Sequence, residues 1–126
     1  VVVELDVKKL LISTIMPLVD NDESKVILQG SMSDDATYPD AFFTFWNNDT
    51  SDDAFYDNAE TQVIWDFDLN FYSNDPAKVN SVLMQAKRLL KAVGFIVDGS
   101  GHDVLSDEPT HTGRGINLLY IEKVRN

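Results

Sequence analysis

The stretch Thr61-Gln-Val-Ile-Trp-Asp-Phe-Asp-Leu-Asn-Phe-Tyr72 limits the fold more than any other part of this chain. Val63, Trp65, Phe67, Leu69 and Phe71 share one parity, and Gln62, Asp66, Asp68 and Asn70 share the other. Period-2 alternation of this kind describes a strand with one buried and one wet face, blurred only by Ile64 and Tyr72. Burying a large apolar side chain fully is worth roughly 1.5–3 kcal/mol, so five in one row line most of a small core. The pattern predicts a central antiparallel strand, in which one inserted residue turns half of the row into water.

The elements on either side follow from caps, breakers and periodicity. Asp6 is a candidate N-cap for a helix with Val7, Leu10, Leu11, Thr14 and Leu18 on one side, and Pro17 stops or kinks it. A turn at residues 20–24 leads to a strand at Lys25–Gln29 and then a loop from Gly30 to Asp40. Ala41–Trp46 reads as a strand with Phe43 and Phe45 on one side and Phe42, Thr44 and Trp46 on the other. Both sides are apolar, so it is either covered on both faces or presents one to a partner. Asn47–Glu60 reads as a long acidic connection, of a length more often functional than filler.

The second helix has Asp75 as cap, Pro76 at its first position and Gly94 just past its end, around an apolar stripe of Val79, Val82, Leu83, Ala86, Leu90 and Val93. Phe95–Val97 begins a strand that Gly99-Ser-Gly101 breaks, and Asp103–Thr112 reads as irregular. Gly113-Arg-Gly115 suggests a turn, and Gly115–Glu122 is the closing strand. The order α-β-β-β-α-β-β predicts an α+β, two-layer fold, a mainly antiparallel sheet with two helices packed on one face. By length, residues 1–126 form a single domain.

Charge narrows the function. The formal net charge is −11, and residues 20–75 carry fourteen acids against the single base Lys25. An acidic middle opposes phosphate binding, which argues against a reader of DNA or RNA sequence. The absence of cysteine excludes disulfides and thiolate metal sites. With no signal-peptide pattern, the simpler expectation is an intracellular protein, and no apolar run reaches the ~20 residues that span a bilayer.

Tests for chemistry return little. Read as a calcium loop, residues 49–60 place Asp49, Ser51, Asp53, Asp57 and Glu60 at ligand positions, but Ala54 stands where the sharp turn needs glycine, and strands flank it. A solvated acidic loop fits better. Asp66 and Asp68 project from the polar side of the central strand and invite a Mg²⁺ or acid–base reading, without an identifiable third ligand. His102 and His111 have no recognised zinc-ligand spacing. No P-loop, nucleophile elbow or dinucleotide fingerprint is present. The expectation is therefore no enzyme and no cofactor. Phe42, Trp46, Phe55 and Tyr56 instead suit a protein–protein contact, with core packing the alternative for Phe42 and Trp46.

Several of these residues carry a family resemblance. Tyr38-Pro-Asp-Ala-Phe-Phe-Thr-Phe45, the acidic stretch after it, the strand Val63–Tyr72, a basic helix ending Ala92-Val-Gly-Phe95 and a closing strand containing Tyr120 resemble the tail-terminator (tail-completion, tail-to-head joining) proteins of long-tailed bacteriophages. The likeness spans roughly residues 5–123 in element order. It implies a non-enzymatic virion protein, assembled in the bacterial cytoplasm and placed at the head-proximal end of the tail. Such a protein forms a hexameric ring on the tail tube, stops its polymerisation and meets the head-completion or connector protein. DNA passes through it without specific binding, and no membrane is involved. On this reading Asp49, Asp52, Asp53, Asp57 and Glu60 line the channel, while Phe42, Trp46, Phe55, Tyr56, Asp66 and Asp68 face subunits or partners. The alternatives are a head-side neck or adaptor protein, a small metal-dependent enzyme using Asp66 and Asp68 with a histidine, and a monomeric acidic interaction module.

Overall fold

In the computed structural model, β3 (Glu60–Ser73) runs through the middle of the sheet, paired along its length with β2 (Ala41–Ala54) on one side and β6 (Thr112–Arg125) on the other. The structure describes residues 6–28, 38–54, 60–106 and 109–125, with backbone alone at 51–54, 60, 61, 124 and 125. Two helices, α1 (Val7–Ile15) and α2 (Pro76–Ala92), cover one face. The remaining strands are short: β1 (Val26–Leu28) lies parallel to β2, while β4 (Ile96–Val97) and β5 (His102–Val104) both pair antiparallel with the far edge of β6. The fold is α+β, with a mixed, mostly antiparallel sheet in the order β1-β2-β3-β6-β4.

The alternating row is fully buried only in its second half; Val63 and Trp65, at its start, are partly buried. Phe67, Leu69 and Phe71 are fully buried beneath Leu83, Ala86 and Leu90 of α2 and Leu11 and Ile15 of α1. Their neighbours in register are Phe43 and Phe45 on β2 and Ile116 and Leu118 on β6. The caps follow the sequence. Asp6 accepts from the Lys9 amide at 3.2 Å, and Asp75 accepts from the Ala77 amide at 3.1 Å, which satisfies donors that a helix start leaves orphaned. Gly94 takes φ +108°, the conformation expected just past the end of α2. At Pro17 the first helix stops being α-helical and tightens into a 3₁₀ turn, Met16–Val19, which Asp20 and Asn21 close in left-handed conformations. In the next turn Ser24 donates both hydroxyl and amide to Asp22 and holds that carboxyl below its usual range.

Four boundaries depart from expectation. Asn47–Glu60 is mostly strand: β2 continues to Ala54 and β3 begins at Glu60. The run Asn-Asn-Asp-Thr-Ser-Asp-Asp has low strand propensity, and pairing with the apolar Val63–Trp65 stretch overrides it. An eighth element, β5, lies within the segment expected to be irregular. At the chain's second strand the extent is Val26–Leu28, with Lys25 in a 3₁₀ turn and Gln29 outside the described residues. Gly113-Arg-Gly115 is not a turn but the start of β6. The glycines are there for clearance. A Cβ on Gly113 would lie 2.6 Å from two ring carbons of Tyr72, and one on Gly115 would collide with the Asn70 amide.

This clearance generates a prediction. Gly113→Ala forces the Tyr72 ring off its stack with Phe42 and costs about 1–3 kcal/mol of unfolding free energy in urea titration. Combining it with Tyr72→Ala removes the part of that cost due to the ring, and the contact with a Val104 methyl, 2.8 Å from the same Cβ, remains. Purely additive penalties in that double-mutant cycle would disprove the steric account.

Candidate functional site

Because both helices cover the same face, the even-numbered side chains of β3 are left on an uncovered face. Alternation and register assign its rows. At one end lie Phe42, Tyr72 and Gly113. The middle row is Trp46, Asp68 and Asn117, followed by Asp49, Asp66, Leu119 and Ile96, and then by Ile64 beside Ile121.

The first of these rows is closed by packing. Phe42 is buried, stacked between Tyr38 at 5.6 Å and Tyr72 at 5.3 Å between ring centroids. His111 sits against the same ring at 5.8 Å, its Nε2 2.7 Å from the Pro39 carbonyl and its Nδ1 2.9 Å from the Thr110 hydroxyl. The Tyr38-Pro39 pair of the sequence is thus pinned over the sheet by a buried histidine. For Phe42 the structure selects packing over an open contact surface, and His111 has a structural employment that its sequence context did not disclose.

The middle rows are open. Trp46 is exposed, and Asp66 and Asp68 lie side by side along β3, as the alternation predicted. Asn117 lies between them, its Nδ2 2.7 Å from Asp66 Oδ1 and 3.2 Å from Asp68 Oδ1. Among the described residues, neither aspartate forms an ion pair. A β-bulge between Asn47 and Asp49 brings a third carboxylate onto this face, placing Asp49 opposite Asp66. With its amide turned to satisfy every partner, Asn47 locks the bulge: its nitrogen donates to the Asp66 and Asp49 carbonyls at 3.0 and 2.8 Å, and its oxygen accepts from the Thr50 hydroxyl at 2.8 Å.

The residues expected to line a channel and those expected to meet partners are therefore not two separate groups. Asp49 shares the uncovered face with Trp46, Asp66 and Asp68. Asp52, Asp53 and Glu60 lie on the backbone of β2 and β3 at the same end of the sheet, as parts of strands rather than of a loop. Asp57, Phe55 and Tyr56 lie outside the described residues. Four contributors escaped the sequence reading: Asn117, the bulge residue Asn47, and the exposed Ile96 and Ile121. Asn117 alternates in phase with Asp66 and Asp68 on a paired strand, a signal that appears only once the register is known.

The two histidines lie apart from the three aspartates. His111 is held on the Pro39 carbonyl, and His102 lies beyond β6 from Asp68, two strand spacings across and two residues along, about 12 Å away. Among the described residues no three His, Cys, Asp or Glu side chains converge on a point. What the face can do is present negative charge and exposed apolar side chains together.

The crowding of carboxylates is directly testable. Asn117→Asp adds a fourth carboxylate beside Asp49, Asp66 and Asp68 and removes the amide between two of them. At neutral pH and low salt it lowers unfolding free energy by about 1–2 kcal/mol, since like charges on adjacent strands repel. About 1 M NaCl recovers much of the loss, because it shortens the screening length to ~3 Å. A loss of the same size in low and high salt would trace it to packing rather than charge.

No protein-family model matches this chain, and no curated protein matches it. A functional reading therefore rests on the geometry and on the resemblance of its motifs.

Proposed function

We propose that this chain is a structural subunit of long-tailed bacteriophage assembly, of the tail-terminator kind. Copies close into a hexameric ring at the head-proximal end of the tail tube, end its polymerisation and offer a surface to the head connector. The role needs no cofactor and no bond-making step.

The observation that carries this reading is the hairpin β2–β3. Beyond Phe45 on β2 and before Phe67 on β3 the described side chains are at most partly buried, Trp65 being the last that packs against the core. That end of the hairpin bears Asp49, Asp52, Asp53 and Glu60, with Asp66 at its base. Carboxylates collected on paired strands at one end of the sheet repel one another, a cost that a use outside the chain would explain. In a ring, carboxylates collected at one end of each subunit line the opening, repel phosphate and let DNA pass without adhering. The two-layer fold, the acidic-aromatic central strand and the basic helix ending in Gly94-Phe95 support the same reading through their likeness to terminator proteins. Exposed Trp46 beside Asp66 and Asp68 suits a contact between proteins, where aromatic residues are enriched.

The test joins solution mass to capping. Light scattering across concentration and salt, with electron microscopy of the same samples, is expected to give rings with a central hole. Added to growing tail tubes, the protein is expected to sit at one end and stop elongation. Binding to head connectors without binding to tubes would move it to the head-side neck instead. A protein that forms no ring, on tubes or free, and binds neither structure would sink the proposal.

A further inference from the structure

We propose that neighbouring copies meet face to back: the uncovered sheet face of one copy docks on the outer side of α2 of the next. This rests on the ring reading and names the surfaces that would build it.

The helix layer carries no acid, while the middle of the uncovered sheet face carries three carboxylates, with Lys123 toward the far end of the same face. Neither α1 nor α2 contains an acidic residue, in a chain of net charge −11, and α2 carries Lys78, Lys87, Arg88 and Lys91. Lys87 is engaged with the Gly99 carbonyl. Arg88 and Lys91 are exposed and, among the described residues, form no ion pair. Across the sheet, Asp49, Asp66 and Asp68 lack a counter-charge in the same sense. Each face also exposes apolar side chains among its charges. On α2 this is Leu89, 39% exposed, on one flank of the helix, with Val93, 40% exposed, just past its end on the same side; on the sheet they are Trp46 and Ile121, at 48% and 42%. Exposed apolar side chains beside complementary charges suit an interface better than they suit solvent.

Three strands of 14 residues span about 46 Å by ~14 Å, about 640 Å², part of which Tyr38 and His111 cover, a patch somewhat smaller than the roughly 800 Å² per partner of a standard interface. The 17 residues of α2 run about 25 Å and lie within that length. The contact is heterologous, since the two surfaces differ, and repetition of a heterologous contact gives a ring or an open filament.

Charge reversal tests it. Asp66→Lys with Asp68→Lys, or Arg88→Glu with Lys91→Glu, is expected to weaken self-association by at least about tenfold in sedimentation velocity at low salt. All four substitutions in one chain are expected to restore it to within about threefold. Circular dichroism on each variant guards against misfolding.

Cross-linking gives a second readout, because the chain has no cysteine of its own. When Trp46→Cys and Leu89→Cys proteins are mixed with a short bismaleimide, the expected product joins position 46 of one copy to position 89 of another. Products joining only like positions, or double reversals that associate as the wild type does, would overturn the contact. So would a wild type that stays monomeric at every concentration in low salt, or a face that binds the tube subunit and never a second copy. If rings still cap tubes and ignore the reversals, only this contact falls. If no form of the protein caps tubes, the terminator reading falls with it.

Discussion

The register of β3 against its two neighbours is the constraint from which the rest of the molecule follows. Leu69 stands between Phe45 and Ile116, and Phe67 between Asn47 and Leu118. A slip of one residue in either pairing would expose Phe67, Leu69 and Phe71 and bury Asp66, Asp68 and Asn70, so neither pairing is free to drift. Both helices depend on that row for their own burial. Leu83 and Leu90 of α2 and Leu11 and Ile15 of α1 complete a single cluster with it. Helices of nine and seventeen residues gain most of their stability from such packing rather than from propensity.

The bulge at Asn47 is where this constraint turns into surface chemistry. Up to Asn47, the odd residues of β2 face the core. Without the extra residue, Asp49 would continue that phase and point toward the helices beside Trp65. With it, Asp49 lies opposite Asp66 and Thr50 opposite Trp65. One inserted residue thus moves a carboxylate off the core side and onto the uncovered face. The bonds from Asn47 to the Asp49 and Asp66 carbonyls occupy acceptors that the disrupted ladder leaves behind.

What the chain disclosed in advance follows from how local each signal is. The alternation at 61–72, the Asp75-Pro76 start of α2 and the glycine after it are short-range patterns, and the structure has each of them. The acidic half of β2 was illegible because a run of Asn, Asp, Thr and Ser carries no strand signal. It is a strand only because Val63, Ile64 and Trp65 lie across from it. Gly113 and Gly115 misled for a related reason: glycine announces a turn locally, but here it makes room for Tyr72 and Asn70 from a strand more than forty residues earlier. The uncovered face was half visible, since Asp66, Asp68 and Trp46 declared themselves by parity. Asn117 and Ile121 join it through β6 pairing alone, and Phe42 left it when Tyr38 and His111 closed over its ring.

Opposite charge at the middle of the two layers also bears on what kind of assembly suits this fold. Two copies related by a two-fold axis place like surfaces together, carboxylates on carboxylates or Arg88 and Lys91 on their own counterparts. Such juxtapositions cost several kcal/mol when desolvated. On the proposed face-to-back contact, an isologous dimer through the centre of either face gains less than the head-to-tail contact, which pairs opposite charges at every repeat. An attractive head-to-tail contact always leaves one acidic and one basic face unused in an open chain. Closure into a ring is the one finite arrangement that satisfies both, so the proposed contact favours a closed end point. On the proposed terminator reading, a tail tube would fix how many copies sit side by side and so supply the rotation per subunit that the contact itself need not specify.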